Sequence, residues 1–342
     1  MRVLVAGSNA VGNIGRFFFD AVQTLGYECA FVETDYLHDW SKPIYRLASR
    51  LLGRRPVKYW KINRQLLDIA RRFHPQIIIV VKGMWISRET LAQLKTEIGC
   101  CLINFATDDP FNTAVSRPES RRSIPFYDLY ACTKRAIMED VRRAGGRNVI
   151  YVPFGYEPSL HFPERPATDG EAGLFASDVV FIGAADNDRL PMMQMIAERA
   201  KKQWTFCLYG GFWNRDSRMR KYHRGFALGR EYRLAVSSAK INLGLVRRAN
   251  RDGHAMRTFE IPACGAFMLA ERTEEHLELF VENKEAAYFG PDEELLEKID
   301  YYLVHDAERQ RIAQAGYERV TSGKHTYRNR VQQILELAQA LL

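Results

Sequence analysis

Apolar residues along this chain gather in short continuous runs separated by glycine, proline and polar residues, and the intervals between runs carry apolar positions at helical spacing. Runs at 2–6, 29–32, 77–81, 102–105, 129–132 and 149–152 read as buried strands. Segments 17–25, 44–52, 62–73, 88–98 and 136–144 read as helices; in 62–73, Ile62, Leu66, Ile69, Ala70 and Phe73 fall on one face. Such alternation predicts a parallel, doubly wound sheet. Pro153, Pro158, Pro163 and Pro166, followed by the polar stretch 168–173, then predict a domain boundary. The alternation resumes with strands at 179–182, 205–209, 241–246, 266–271 and 286–289, and with helices at 190–200, 231–237, 274–280, 293–303 and 307–320. The expected fold is α/β, with two Rossmann-like doubly wound parallel-sheet domains facing a cleft. The first covers 1–160, the second 170–325, and a last helix within 326–342 crosses the groove or returns to the first domain.

Length supports this division, since 342 residues correspond to about two domains. A hydrophobic content of 46% and a charged content of 26% describe an ordinary folded chain rather than a disordered or fibrous one. The apolar run 77–81 stops at Lys82, far short of the ~20 residues that span a bilayer. The N-terminus turns into a glycine loop too early for the apolar core of a signal peptide. The expectation is a cytoplasmic protein. Six cysteines without a CxxC pair read as buried thiols of a reducing compartment.

The net charge of +8 changes the picture more, because it favours acidic partners: nucleotide diphosphates, nucleic acid or an anionic membrane surface. Segment 46–72 carries Arg50, Arg54, Arg55, Lys58, Lys61, Arg64 and Arg71, and segment 215–233 carries Arg218, Arg220, Lys221, His223, Arg224 and Arg230. Most runs of this kind are solvated faces.

In open α/β sheets, ligands bind beyond the carboxyl ends of the strands. After the first strand, Gly7, Asn9, Gly12 and Asn13 belong to a loop whose glycines are spaced Gly-x4-Gly-x2-Gly. This is not the dinucleotide fingerprint, and Glu33 and Asp35 do not supply its ribose acid, so the loop reads as a cleft lining or a tight turn. Asp108-Asp109-Pro110 follows strand 102–105. Adjacent acids there offer a general base with a raised pKa, or a turn. Gly183 to Arg189 follows the first strand of the second domain and offers a diphosphate cradle. Within it Asp186-x-Asp188 fits either a metal-binding pair or a helix cap; the expectation is no metal and no cofactor. Tyr209-Gly210-Gly211-Phe212-Trp213 reads as a base-stacking loop or a hydrophobic plug. Arg247, Arg248, Asp252, His254 and Arg257 then lead to Glu260. Thr258 reads as the N-cap of a helix with Glu260 in its first turn and Gly265 at its stop, a start that attracts phosphate while the carboxylate accepts ribose hydroxyls.

Several of these segments together resemble a known family. Glu260-Ile261-Pro262-Ala263-Cys264-Gly265 looks like the E-A-x-A-x-G segment of group-1 glycosyltransferases of the GT-B fold. Val152-Pro153-Phe154-Gly155-Tyr156-Glu157, with Phe162-Pro163, looks like their interdomain linker. A closer similarity is to the CgeB-like branch (spore maturation proteins and relatives). Asp108-Asp109-Pro110, Phe181-Ile182-Gly183 with Arg189, Lys240-Ile241-Asn242-Leu243, Arg257-Thr258-Phe259-Glu260 and His325-Thr326-Tyr327 with Arg330 carry it. The resemblance implies a metal-independent hexosyltransferase-type enzyme. It would move a sugar from a nucleotide diphosphate-sugar, held by the second domain, to a glycan, lipid-linked or protein acceptor held mainly by the first.

On that basis Glu260 binds the donor ribose and Arg189 and Arg257 bind the diphosphate; the strand-end loops and the helix start read above add Gly183, Tyr209, Gly210, His254 and Thr258 to the expected donor side. Asp252 stands near the transferred sugar, where the family has glutamate, so the stereochemical outcome is not carried over. Asp108 or Asp109 is the expected acceptor base, and Gly7, Asn9, Gly12 and Asn13 the acceptor-side loop. Expected partners are the nucleotide-sugar, an unknown acceptor and, peripherally, the anionic inner face of a membrane through the basic segments; no specific nucleic acid is expected. A GT-B nucleotide-sugar epimerase and a non-catalytic nucleotide- or nucleic-acid-binding protein are the alternatives.

Overall fold

The computed structural model describes residues 1–35, 59–201 and 203–342. The expected helix 44–52 and the basic residues Arg50, Arg54, Arg55 and Lys58 lie outside the described residues. The chain forms two parallel-sheet α/β units. One comprises Met1–Pro153, Ala249–Arg251 and Tyr327–Leu342, the other Phe154–Arg248 and Asp252–Thr326.

The first unit contains β1 (Arg2–Gly7), β2 (Glu28–Glu33), β3 (Ile77–Val81), β4 (Cys101–Ala106), β5 (Leu129–Cys132) and β6 (Asn148–Tyr151), in the order β2-β1-β3-β4-β5-β6. All neighbours pair in parallel. Every residue of β3 and β4 is buried, which is why these strands read as unbroken apolar runs instead of alternating ones.

The glycines after β1 are explained by packing. A Cβ on Gly15 would stand 2.6 Å from the backbone N and O of Ser8, and one on Gly7 2.8 Å from the Cα of Gly15. They let helix Ile14–Thr24 press against the end of β1, and that helix starts before the expected residue 17 because Ile14 and Gly15 are already buried in it. Helix Tyr327–Gln339 belongs to the same unit: the Tyr327 ring stacks on Phe17 at 5.0 Å and lies 6.2 Å from Phe18.

The second unit contains β7 (Ser177–Ile182), β8 (Phe206–Tyr209), β9 (Ala239–Gly244), β10 (Met268–Glu271) and β11 (Ala287–Phe289), ordered β11-β10-β9-β7-β8 and again parallel. Its core joins Phe181, Met193, Trp213, Ile241, Leu269 and Phe289, all fully or almost fully buried. The polar stretch expected as linker folds into helix Asp169–Phe175. Thr168 accepts the Glu171 N–H at 3.2 Å while Glu171 accepts the Ala167 N–H at 2.6 Å, a capping arrangement that satisfies two amides at the helix start.

The strand order reverses direction between β1 and β3 in the first sheet and between β7 and β9 in the second. At such switch points the connections leave on opposite faces and open a crevice at the strand ends. The loops following β1, β3, β7 and β9 are therefore where ligand chemistry is expected.

Candidate functional site

At the switch point of the second sheet, three arginines converge. Arg189 begins helix Arg189–Ala200, Arg247 follows β9, and Arg257 begins helix Arg257–Ala263. Arg189 is only 9% exposed; its Nη1 donates to the Ala184 carbonyl at 3.2 Å and faces Asp186 Oδ2 at 3.3 Å. Arg257 donates from Nη2 to the Leu245 carbonyl at 3.1 Å, and the guanidinium groups of Arg189 and Arg257 lie 5.4 and 5.2 Å from the Phe181 ring. Arg247 Nε stands 3.7 Å from Asp186 Oδ2. One carboxylate thus faces two cations with a third nearby. Burial, with Arg257 and Arg247 alongside, lowers the Arg189 pKa to about 10, so it stays protonated at neutral pH but in an excess of positive charge. The buried Nε atoms of Arg189, Arg247 and Arg257 have no hydrogen-bond partner among the described residues. Forked donors in this state suit an anion with several oxygens.

Asp186 is turned to its own helix start and to the arginines. Its Oδ1 accepts the N–H groups of Asp188 and Arg189 at 3.1 and 2.9 Å, and its Oδ2 faces the guanidinium groups, so it serves as the acceptor at the helix start.

The loops after β7 and β8 are stitched together. Gly183 N–H donates to the Tyr209 carbonyl at 2.9 Å, Ala185 N–H to the Gly211 carbonyl at 2.9 Å, and Trp213 Nε1 to the Gly183 carbonyl at 2.7 Å. Tyr209 is 4% exposed and Trp213 is fully buried, which corrects the expectation that Tyr209 touches a ligand. The exposed ring of this loop is Phe212, 52% exposed with its backbone at φ 74°. Facing a hollow of 570 Å³ with it are Phe226, Arg215, His223 and Asn214, with Ala184 and Gly211 also lining it.

The segment leading to Glu260 departs from expectation at two residues and at the helix start. Thr258 is not the N-cap, because the helix already includes Arg257 and Met256 precedes it in helical conformation. Thr258 Oγ1 accepts the Ala255 N–H at 3.1 Å and bonds His276 Nε2 at 2.9 Å, so this 1% exposed residue is spent on the fold. His254 is fully buried with both ring nitrogens engaged, by Glu275 at 2.5 Å and the Phe154 N–H at 3.0 Å; it cannot touch a donor directly. The helix start is also less open to phosphate than expected, since the N–H groups of Thr258, Phe259 and Glu260 bond to carbonyls of the same turn.

Glu260 is 7% exposed, with Oε2 accepting from the Tyr232 hydroxyl at 2.8 Å and Oε1 3.7 Å from His161 Nε2. His161 Nδ1 accepts the Glu157 N–H at 3.1 Å, leaving the proton on Nε2 towards Glu260. Burial holds the His161 pKa below its usual value despite Glu260. The carboxylate is therefore oriented, with lone pairs to spare. No local pattern in the sequence announces Tyr232 or His161 as its neighbours.

In the first unit, the adjacent acids separate in role. Asp109 is 2% exposed: its carboxylate takes a bidentate pair from Arg251, at 2.6 and 3.1 Å, and the Phe111 N–H at 2.9 Å, while its own N–H donates to Asn250 Oδ1 at 2.7 Å. It anchors the Ala249–Arg251 stretch, which corrects its candidacy as a base. Asp108 has Oδ2 held by Lys82 Nζ at 3.1 Å and by the Thr107 hydroxyl at 3.2 Å. Burial would raise its pKa, as the adjacent acid was expected to, but Lys82 and the fully buried Lys134 outweigh it and pull the pKa below the usual carboxylate range. Lys82 follows β3 with φ 68°, a left-handed conformation uncommon for its type, beside Gly83 at φ 74°. Its place after a strand was the available signal for it.

In the glycine loop, Asn9 N–H donates to Glu33 Oε2 at 2.8 Å and Asn9 Oδ1 accepts from Arg16 at 3.3 Å; Gly12 takes φ 81°, and Asn13 precedes the helix without capping it by its side chain. Glu33 thus ties the loop to β2.

Residues 189–336 match a protein family described as glycosyl transferase-like, a span that opens at Arg189 and contains Arg247, Asp252, Arg257 and Glu260. A search of curated protein sequences returns no match. Among solved structures, the chain is similar to sucrose-phosphate synthase from Thermosynechococcus elongatus, at 13% identity and a TM-score of 0.71, covering 100% of this chain and 99% of that one. The Anabaena protein HepE in complex with UDP and glucose aligns at 12% identity and a TM-score of 0.68, covering 99% and 100%. A glycosyltransferase from Rickettsia africae aligns at 11% identity and a TM-score of 0.67, covering 99% and 97%. The fold is that of GT-B glycosyltransferases, two parallel-sheet α/β domains.

Proposed function

We propose that the protein is a glycosyltransferase of the CgeB-like branch, moving a hexosyl group from a nucleoside diphosphate-sugar to a hydroxyl acceptor without a metal ion. The observation that carries this reading is the convergence of Arg189, Arg247 and Arg257 at the β7/β9 switch point. The match to a glycosyl transferase-like family over that span, and HepE's binding of UDP and glucose on the same fold, support it.

In the reaction, the bond from the sugar's anomeric carbon to the diphosphate oxygen breaks, and a bond to the acceptor oxygen forms. The departing nucleoside diphosphate takes the electron pair; fixed guanidinium groups stabilise that charge in place of a metal. Glu260, oriented by Tyr232 and His161, accepts the ribose hydroxyls, and Asp252 lies towards the transferred sugar. The base stacks against Phe212 or Phe226, the two rings that line a largely apolar hollow. Asp108 takes the acceptor proton through Oδ1, the oxygen that Lys82 and Thr107 leave open. The acceptor is a glycan, a lipid-linked chain or a protein. Exposed Arg215, Lys221 and Arg224 are the residues for peripheral contact with an anionic membrane; no helix among the described residues is long and apolar enough to cross one.

The test is release of nucleoside diphosphate from a panel of UDP-, GDP- and ADP-sugars, with and without EDTA. Turnover of one donor that survives EDTA is expected; a loss restored by manganese would return Asp186 and Asp188 to the role of ligands. Asp108→Asn should lower turnover by about a hundredfold, the scale of a lost general base, while donor affinity changes little. Since Lys82 and Lys134 keep Asp108 ionised, activity should fall with acidification only below the usual carboxylate range, and equal loss of affinity and turnover in the variant would place the base elsewhere.

A further inference from the structure

Two buried side-chain pairs beneath the Asp252–Arg257 loop take no part in the chemistry above. His254 Nε2 accepts the Phe154 N–H at 3.0 Å, so the ring proton sits on Nδ1 and is donated to Glu275 Oε2 at 2.5 Å. His254 is fully buried and Glu275 5% exposed, with the rings of Phe154 and Phe259 edge-on to the imidazole at 5.4 and 5.8 Å. Gly253 lies so close to the Glu275 carboxyl that a Cβ there would collide with it, and its carbonyl accepts from the Thr273 hydroxyl. One residue further along helix Glu274–Leu279, His276 donates from Nδ1 to the Glu271 carbonyl at 2.7 Å and accepts the Thr258 hydroxyl at 2.9 Å. Burial lowers the His276 pKa to about 4, in keeping with a neutral ring that accepts. Thr258 in turn accepts the Ala255 N–H at 3.1 Å.

We infer that His254 and Glu275 are positioning residues for the donor site. The pair fixes the backbone at Gly253 and His254, the Thr258–His276 bond fixes it at Ala255 and Thr258, and Asp252 and Arg257 are carried on the loop these bonds hold. A buried imidazole bonded at both nitrogens has a single orientation, because rotation would leave a buried carboxylate and a buried amide without partners. The loop owes its shape to these bonds rather than to secondary structure, since helix Arg257–Ala263 has no side-chain cap. This inference rests on the donor reading of Arg189 and Arg257.

The experiment titrates inorganic pyrophosphate and UDP calorimetrically into the wild-type protein and into Glu275→Ala, Glu275→Gln and His254→Phe, with melting temperatures measured alongside. Glu275→Ala and His254→Phe should weaken pyrophosphate binding about tenfold, equivalent to ~1.4 kcal/mol. Glu275→Gln should stay within about twofold of wild type, because its amide oxygen still accepts the Nδ1 proton. Glu275→Met, titrated in the same way, fills the same space without accepting the Nδ1 proton and should bind as weakly as Glu275→Ala, a result that a merely space-filling role would not give. Should Glu275→Ala fail to fold, His254→Phe provides the same comparison, and Thr273→Ser, which keeps both the tether to Gly253 and the cap of helix Glu274–Leu279, should bind as the wild type does. Folded Glu275→Ala or His254→Phe variants that bind both probes as the wild type does would overturn the inference; a wild type that binds neither would instead overturn the donor reading itself.

Discussion

Arg257→Ala is expected to weaken nucleoside diphosphate binding by about 2–3 kcal/mol, roughly 30- to 150-fold, the value of hydrogen bonds to a charged group in a partly buried site. The fold should hardly register the change. Arg257 makes one backbone bond, to the Leu245 carbonyl, and otherwise faces Phe181 and the other cations. Removing it relieves Arg189, whose pKa is lowered by burial and then by Arg257, so the unliganded variant should melt at or slightly above the wild-type temperature. Affinity and stability should therefore move in opposite directions, which a structural arginine would not produce. Arg257→Lys should recover only part of the affinity, since an ammonium group cannot reproduce a forked contact. Calorimetry and thermal melting of the same preparations check both halves.

Gly210→Ala should be the most damaging single-methyl addition near the site. Gly210 takes φ 117°, and a Cβ there would stand 2.5 Å from the Gly183 carbonyl oxygen and 2.7 Å from its carbon. Both obstacles are backbone, so no side chain can swing aside. Strain in this backbone region and the displaced strand-end loop together are expected to cost about 3 kcal/mol, a fall of roughly 6–12 °C in melting temperature for a unit of this size. The Gly183 loop also carries the Ala184 carbonyl that holds Arg189, so phosphate affinity should fall with stability. A variant with wild-type melting would mean the two loops are free to separate.

How much of this was legible in the sequence follows from the range of each interaction. Parallel strands buried on both faces announce themselves as apolar runs, and β3, fully buried from Ile77 to Val81, is the clearest case. Strand ends followed by glycine and arginine were equally visible: Gly183 and Arg189 come after β7, and Arg247 and Arg257 lie on the segment after β9 that leads to Glu260. What the chain does across long separations was not. Asp109 is claimed by Arg251, 142 positions away, and reads locally as half of an acidic pair. His254 reads as a ligand-facing histidine until Glu275 and Phe154 close on it, and Tyr209 as a stacking ring until the sheet buries it. Thr258 has the chemistry of a cap, but His276 and Ala255 claim its hydroxyl. Helix Asp169–Phe175 was hidden by the prolines before it, although the Thr168–Glu171 cap was present in the sequence.

The central claim is that the loops after β7 and β9 hold the diphosphate of a nucleotide-sugar donor. Calorimetric titration of UDP, GDP and ADP into the wild-type protein and into Arg257→Ala tests it most directly. The account predicts one-to-one binding of at least one of these nucleotides, lost by about two orders of magnitude in the variant. No binding of any of them to the folded wild type, or equal affinity in the two proteins, would contradict it.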